Sequence, residues 1–220
     1  MTEAATGARA GRIYAGESLN ERTARRRQQF LDAGLAVFGT TGYRTATVRV
    51  LCRQAELTDR YFYESFDSIE DLLMAVYQQQ FDQLQMSVLA ALQDERVRDD
   101  PRAAVRAGLE SLFTMASDPR VARVCWLEVL GVSPRVDAMY TRTFDGFAEL
   151  VVGLARRYVA SWSLDDDEAR MLGLALVGAV SQTVTHWLLG QYRERRDTLV
   201  DVTARVFEGV LLTFQPDAVR

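Results

Sequence analysis

Apolar residues recur at spacings of three and four along nearly all of this 220-residue chain. The longest clear run is Ile69, Leu73, Tyr77, Phe81, Leu84, Val88 and Leu92, which share one face only if the backbone turns once every 3.6 residues. A half-buried strand needs apolar and polar residues in alternation, and no useful stretch of this chain supplies that. The spacing predicts an all-α protein of about nine helices.

Helix boundaries follow from residues that satisfy the free backbone groups at helix ends. Ser18 with Glu21 fits a capping box and opens a helix to about residue 39. Its inner face is Phe30, Ala33, Gly34, Val37 and Phe38, and its first turns carry Arg22, Arg25, Arg26 and Arg27. Gly42, in TTGY, suits the positive φ of a chain leaving a helix. Thr47 then caps a short helix that buries Val48, Leu51, Cys52 and Ala55 while Arg49 and Arg53 point away, and Thr58 caps a third through about Ser65. A long helix followed by two short ones around a tight turn makes a helix-turn-helix core. Ser68 with Asp71 starts the striped helix, DERVRDDP is a polar stop, and Pro101 opens a helix to about Ala116. Further helices are expected from SDPR through Leu130, from about Pro134 to Ala160, from SLDDDEA to about Leu189, and from about Arg195 to Phe214. The expected organisation is an arm over 1–17, a helix-turn-helix domain over 18–67 and a helical domain over 68–220.

Charge is unevenly divided. Residues 1–66 hold ten Arg against seven acidic residues, and residues 67–220 hold 16 Arg against 23, so a head of +3 precedes a body of −7. Such a polarity suits a protein whose N-terminal end approaches a polyanion, although a solvated Arg face gives the same excess. There is no lysine, so every side-chain cation other than His is a guanidinium able to grip phosphate or a guanine edge with two donors. Cys52 and Cys125 fall in apolar helical patterns and read as reduced, buried thiols of a cytoplasmic protein; MTEAATGARAGRIYAG has no apolar core of a secretory signal. The run MLGLALVGAV, 171–180, is too short to span a bilayer and reads as a helix buried inside the protein and at a subunit contact. One His, no local zinc spacing, no Gly-rich phosphate loop and no Ser-His-Asp arrangement argue against an enzyme and against a metal or organic cofactor.

The stretch LTDRYFYESF, 57–66, crowds Tyr61, Phe62 and Tyr63 together. Three successive helical side chains sweep roughly 200° of the circumference, so at least one faces outward. Phe62 and Phe66 form an i, i+4 pair suited to burial, which leaves Tyr61 and Tyr63 on the flanks.

Residues 22–77 resemble the DNA-binding domain of TetR-family transcriptional repressors, through FLDAGLAVFGTTGY, TATVRVLCRQAELT and DRYFYESFDSIEDLLMAVY in order and spacing. The resemblance implies a recognition helix that enters the major groove by its N-terminal end. Tyr63 matches the family's backbone-contacting tyrosine. Thr58, Asp59, Arg60 and Tyr61 occupy the turn and first positions, where base contacts are expected, with Arg60 on a base edge or phosphate and Tyr61 on a base methyl or the backbone. Thr47 and Arg49 match phosphate contacts at the start of the second helix. Two positions depart from the family: the turn residue that is usually glycine is Glu56, and a frequent phosphate-binding lysine is replaced by Ile69. Arg9 and Arg12 of the arm, with Arg22, Arg25, Arg26 and Arg27, are available to compensate.

For the body, the resemblance implies a homodimer through the last two helices, a roughly palindromic double-stranded DNA operator, and a small-molecule effector that releases the repressor from it. The sequence offers Gly173, Ala175, Gly178 and Ala179 for close helix approach and Leu199, Val202, Val206 and Val210 on the final helix. Pocket candidates are Phe113, Trp126, Tyr140, Phe144, Phe147, Gln182 and His186, which together suggest an apolar or aromatic effector. The alternative is a helical ligand-binding or scaffolding dimer with weakened or lost operator binding, a reading that rests on Glu56 and Ile69. Neither reading places the protein in a membrane.

Overall fold

In the computed structural model, which describes residues 19–159 and 162–214, each prolonged apolar stripe forms a helix. The α-helices are α1 Leu19–Phe38, α2 Val48–Ala55, α3 Asp59–Ser65, α4 Ile69–Ala91, α5 Glu95–Arg98, α6 Pro101–Ala116, α7 Pro119–Arg123, α8 Pro134–Tyr158, α9 Asp166–Leu189 and α10 Arg196–Thr213. A 3₁₀ turn at Tyr43–Thr45 and a π-helical turn at Val124–Glu128 complete the described elements, and no strand occurs among them. The capping box at Ser18 and the arm with Arg9 and Arg12 lie outside the described residues.

Short side chains cap the helices at local cost. The Val50 amide donates to Thr47 Oγ1 at 3.2 Å, and the Asp71 amide donates to Ser68 Oγ at 3.1 Å. Asp100, Asp118 and Ser133 each cap a helix whose next residue is proline, a position where the missing N–H removes no intrahelical bond. Asp165 and Glu168 form a reciprocal capping box at α9.

Phe30, Phe62 and Phe66 form the centre of the head, with Phe30 edge-on to Phe62 at 5.4 Å. Leu51 and Ala55 of α2 and Leu72, Leu73 and Val76 of α4 close around them. Gly34 lets α1 lie against α4, since a Cβ there would come within 2.9 Å of Val76 Cγ2. Beyond the head, α4 continues between α6 and α8, while α10 packs on α6 and α8 packs along α9 and touches α4 only sparsely.

Two elements differ from the sequence expectation. The polar stop contains α5, a single turn that Asp94 starts by accepting from the Arg96 amide at 2.9 Å. The helix from Pro119 changes pitch at Val124, so a π turn takes the place of a continuous helix to Leu130. Helix α9 is 24 residues long, long and apolar enough by composition alone to cross a membrane, yet Ala169, Gly173, Leu176, Val180, Val184 and Trp187 are buried within the protomer. It is a core helix on one side only: Met171, Ala175, Ala179, Gln182, His186 and Leu189 are exposed along the other.

Candidate nucleic-acid interface and ligand cavity

The turn between α2 and α3 is a Schellman motif. The Leu57 amide donates to the Cys52 carbonyl at 3.0 Å and the Glu56 amide to the Arg53 carbonyl at 3.4 Å, with Glu56 left-handed at φ 55°, ψ 36°. Glutamate thus occupies a conformation that favours glycine, and its side chain is exposed. Thr58 sits at the N-cap of α3 in extended backbone, but its hydroxyl makes no capping bond there. Below the turn Cys52 is buried, and burial with an Asp59 hydrogen bond pushes its thiol up to about 11.

Thr47, Arg49, Thr58, Asp59, Arg60 and Tyr63 are each exposed, Tyr63 with 60% of its surface. Tyr61 behaves differently. It is half-buried, and the Arg26 guanidinium lies 4.1 Å above its ring. Glu64 gathers two cations: Arg60 Nε donates to it at 2.9 Å and Arg26 Nη1 at 3.3 Å. These exposed pairs are individually weak, so Arg60 is held over α3 without being committed to its partner. Ile69 packs partly buried against the core, while Ser68 caps α4 and also donates to Asp71 Oδ2 at 2.7 Å. That bond first, and Arg135 second, hold the Asp71 carboxyl below the usual carboxylate range.

The body holds a partly open cavity of about 160 Å³. Phe81, Leu84 and Val88 come from α4, Leu109 and Leu112 from α6, Phe144, Phe147 and Leu150 from α8, Leu172 and Leu176 from α9, and Phe207 and Leu211 from α10. Only Trp126, Tyr158, Trp162 and Ser181 bring polar side-chain atoms to the described wall. Two of those are already engaged: Tyr158 donates its hydroxyl to the Arg98 carbonyl at 2.9 Å, and Trp162 Nε1 donates to the Leu164 carbonyl at 3.1 Å. Trp162 stacks on Phe214 at 5.2 Å beside the ends of α8 and α10. A second, shallower groove carries Asp82, Gln85, Arg142 and Thr143 and shares Phe81, Phe147 and Leu150 with the cavity.

The sequence candidates divide around this cavity. Trp126, Phe144 and Phe147 line it. Phe113 lies outside the wall, fully buried edge-on to Trp187, and Tyr140 stacks on Phe144 from behind. Gln182 and His186 are exposed on the outer stripe of α9, because steps of four and three from Ala175 through Ala179 bring them to that face. Gly173 and Val210 belong to the cavity wall, and a Cβ on Gly173 would meet the Ala148 carbonyl at 2.8 Å, so that glycine serves the contact of α9 with α8. Ala175 and Ala179 lie on the outer stripe with Gly178 half-exposed beside them; Val202 and Val206 are exposed on α10, and Leu199 is half-buried. Residues that sequence reasoning did not single out, notably Phe81 and Leu176, make much of the wall. The α4 stripe had marked Phe81 only as core.

Residues 30–76 match the sequence model of bacterial regulatory proteins of the tetR family. The chain is 28% identical over 187 residues to the HTH-type transcriptional activator FasR of Mycolicibacterium smegmatis, an alignment spanning 84% of this chain and 83% of that protein. Among solved structures, the fatty acid degradation regulator FadR of Bacillus halodurans superposes with a TM-score of 0.74 at 19% identity, covering 84% of this chain and 95% of that one. FadR of Bacillus subtilis, in complex with stearoyl-CoA, gives 0.73 at 19% identity over 81% and 96%. The chain thus carries a tetR-family helix-turn-helix over residues 30–76 and shares the fold of these regulators along most of its length.

Proposed function

We propose that two copies of this chain pair through the outer faces of α9 and α10, and that their heads read the half-sites of a roughly palindromic operator in the cytoplasm. An apolar chain with a polar head, of the long-chain acyl-CoA class, enters the body cavity and lowers DNA affinity. The observation that carries this reading is the continuity of α4: its first turns pack in the head, and its Phe81, Leu84 and Val88 wall the cavity. A ligand between α4, α8 and α10 acts on the same rigid helix that supports the reading helix. The apolar wall suits a methylene chain, and the polar groove beyond Phe81 and Phe147 gives its head group an outlet. Stearoyl-CoA bound to the Bacillus subtilis FadR supplies the chemical class.

In this reading Thr47 and Arg49 contact phosphates and Arg60 is released from Glu64 to a base edge or phosphate. Tyr63 holds the backbone, and Thr58, Asp59 and Tyr61 shape the entry of α3 into the groove. The exposed valines of α10 and the small residues on the outer side of α9 form the pairing surface. The activity of the Mycolicibacterium smegmatis relative as an activator fits the same switch, because operator position relative to the promoter decides whether release lowers or raises transcription. Selection of bound fragments from genomic DNA supplies the operator. Fluorescence anisotropy then measures its affinity with and without lauroyl-, palmitoyl- and stearoyl-CoA. Binding with a steep salt dependence, weakened by Arg49→Ala and Arg60→Ala and by at least one acyl-CoA, is expected. A protein that binds no duplex at low salt is a ligand-binding or scaffolding dimer instead.

A further inference from the structure

The cavity and the head are joined at a second place besides the length of α4. Trp126 lies in the π-helical turn Val124–Glu128 and forms part of the cavity wall, with Phe81 5.8 Å away, ring to ring. Two residues on, Glu128 leaves the same turn on the opposite side and reaches the head. Its Oε2 accepts from the Tyr43 amide at 2.7 Å, and its Oε1 accepts from Arg123 Nε at 2.8 Å. The Glu128 side chain is 14% exposed, so water competes little for it. Gly42, at φ +90°, makes room for the carboxylate; a Cβ there would stand 3.1 Å from Oε2. The neighbouring approach is closer still, since a Cβ on Gly39 would fall 2.5 Å from Arg120 Cβ. The loop between α1 and α2, which sets the position of Thr47 and Arg49, is thus fastened to the turn that carries Trp126.

We infer that the π turn is a transmission element: displacement of Trp126 by a ligand moves Glu128, and through the Tyr43 amide shifts the α1–α2 loop and its phosphate-contacting residues. This rests on the ligand-responsive reading above and adds a named lever to it. A π turn of this kind interrupts the α-helical hydrogen-bond ladder, and such turns recur at functional sites. Glu128 is a positioning residue. It lies outside the cavity wall, and it acts by fixing one backbone amide.

Two measurements on the full-length protein test it. In the first, operator affinity is read by anisotropy with and without stearoyl-CoA for wild type, Glu128→Ala and Glu128→Gln, with stearoyl-CoA binding followed separately by calorimetry. Glu128→Ala should bind stearoyl-CoA as wild type does but lose at least fivefold of the ligand-induced change in operator affinity. Glu128→Gln keeps one acceptor for the Tyr43 amide and should restore part of it. Full retention of the wild-type change by Glu128→Ala overturns the inference. In the second, hydrogen exchange over residues 39–46 needs no ligand and separates this idea from the choice of effector. Trp126→Phe, and Trp126→Ala where it remains folded by circular dichroism, should speed exchange at Tyr43 several-fold, as Glu128→Ala does. Unchanged exchange in the Trp126 variants overturns the inference whatever stearoyl-CoA does. A wild type that is indifferent to every acyl-CoA, with Tyr43 exchange still answering to Trp126, upholds the lever and refutes the effector.

Discussion

Replacing Glu56 with glycine separates backbone strain from charge at the turn before the reading helix. An L-residue held left-handed costs about 1–2 kcal/mol. Glycine removes that cost, but its freer unfolded chain returns about 0.5–1 kcal/mol. The net expectation is stabilisation by roughly 0.5–1 kcal/mol, which for a chain of this length raises Tm by roughly 1–4 °C. The same change deletes an exposed negative charge; against one phosphate roughly 10 Å away in water this is worth about 0.4 kcal/mol, close to a factor of two in operator affinity. Glu56→Gln removes the charge and keeps the Cβ, so it should reproduce the affinity gain and leave Tm almost unmoved. Circular dichroism melts at one fixed protein concentration, with anisotropy at two salt concentrations, read both quantities. A Glu56→Gly protein that melts no higher than wild type, or a Glu56→Gln protein that melts as high as the glycine variant, refutes the strain argument. An affinity gain that persists undiminished at high salt refutes the charge argument.

Three further outcomes are expected. Val202→Glu with Val206→Glu should leave helix content unchanged and give monomers by light scattering; a persistent dimer moves the pairing surface away from α10. The depressed pKa of Asp71 contributes stability above the usual carboxylate range, lost as pH falls through the folded value. The deficit of Ser68→Ala, about 1 kcal/mol at pH 7 for the lost cap, should therefore narrow in urea melts as pH falls toward 3, and a constant gap contradicts the assignment. With its thiol near 11, Cys52 should react with iodoacetamide at pH 8 roughly 100-fold more slowly than a free thiol, and unfolding should abolish the difference.

Long helices were legible because periodicity and caps agree over many turns, as at α4 and α9. Thr47, Ser68 and Gly42 were legible because each solves a local backbone problem, whereas Glu56 was marked only through the family position that is usually glycine. The π turn was not, since a change of pitch across five residues leaves no trace in a period estimated over a longer window. Helix α5 was hidden because a single turn in polar sequence buries none of its residues. Gln182 and His186 illustrate the commonest error in reading a site. Polar residues on an apolar helix invite a ligand role, yet their spacing from Ala175 and Ala179 already puts them on the outer stripe. Phe81 was marked only as core for the converse reason, because a wall residue and a core residue have the same sequence signature.

The π turn also has a consequence for how such a switch diverges. One residue more or fewer between Trp126 and Glu128 would turn the carboxylate by about 100° relative to Trp126, away from Tyr43. The cavity wall and the helix-turn-helix would keep their sequences. A single-codon deletion is therefore enough to detach sensing from reading at this joint, and a single-codon insertion is enough to install it.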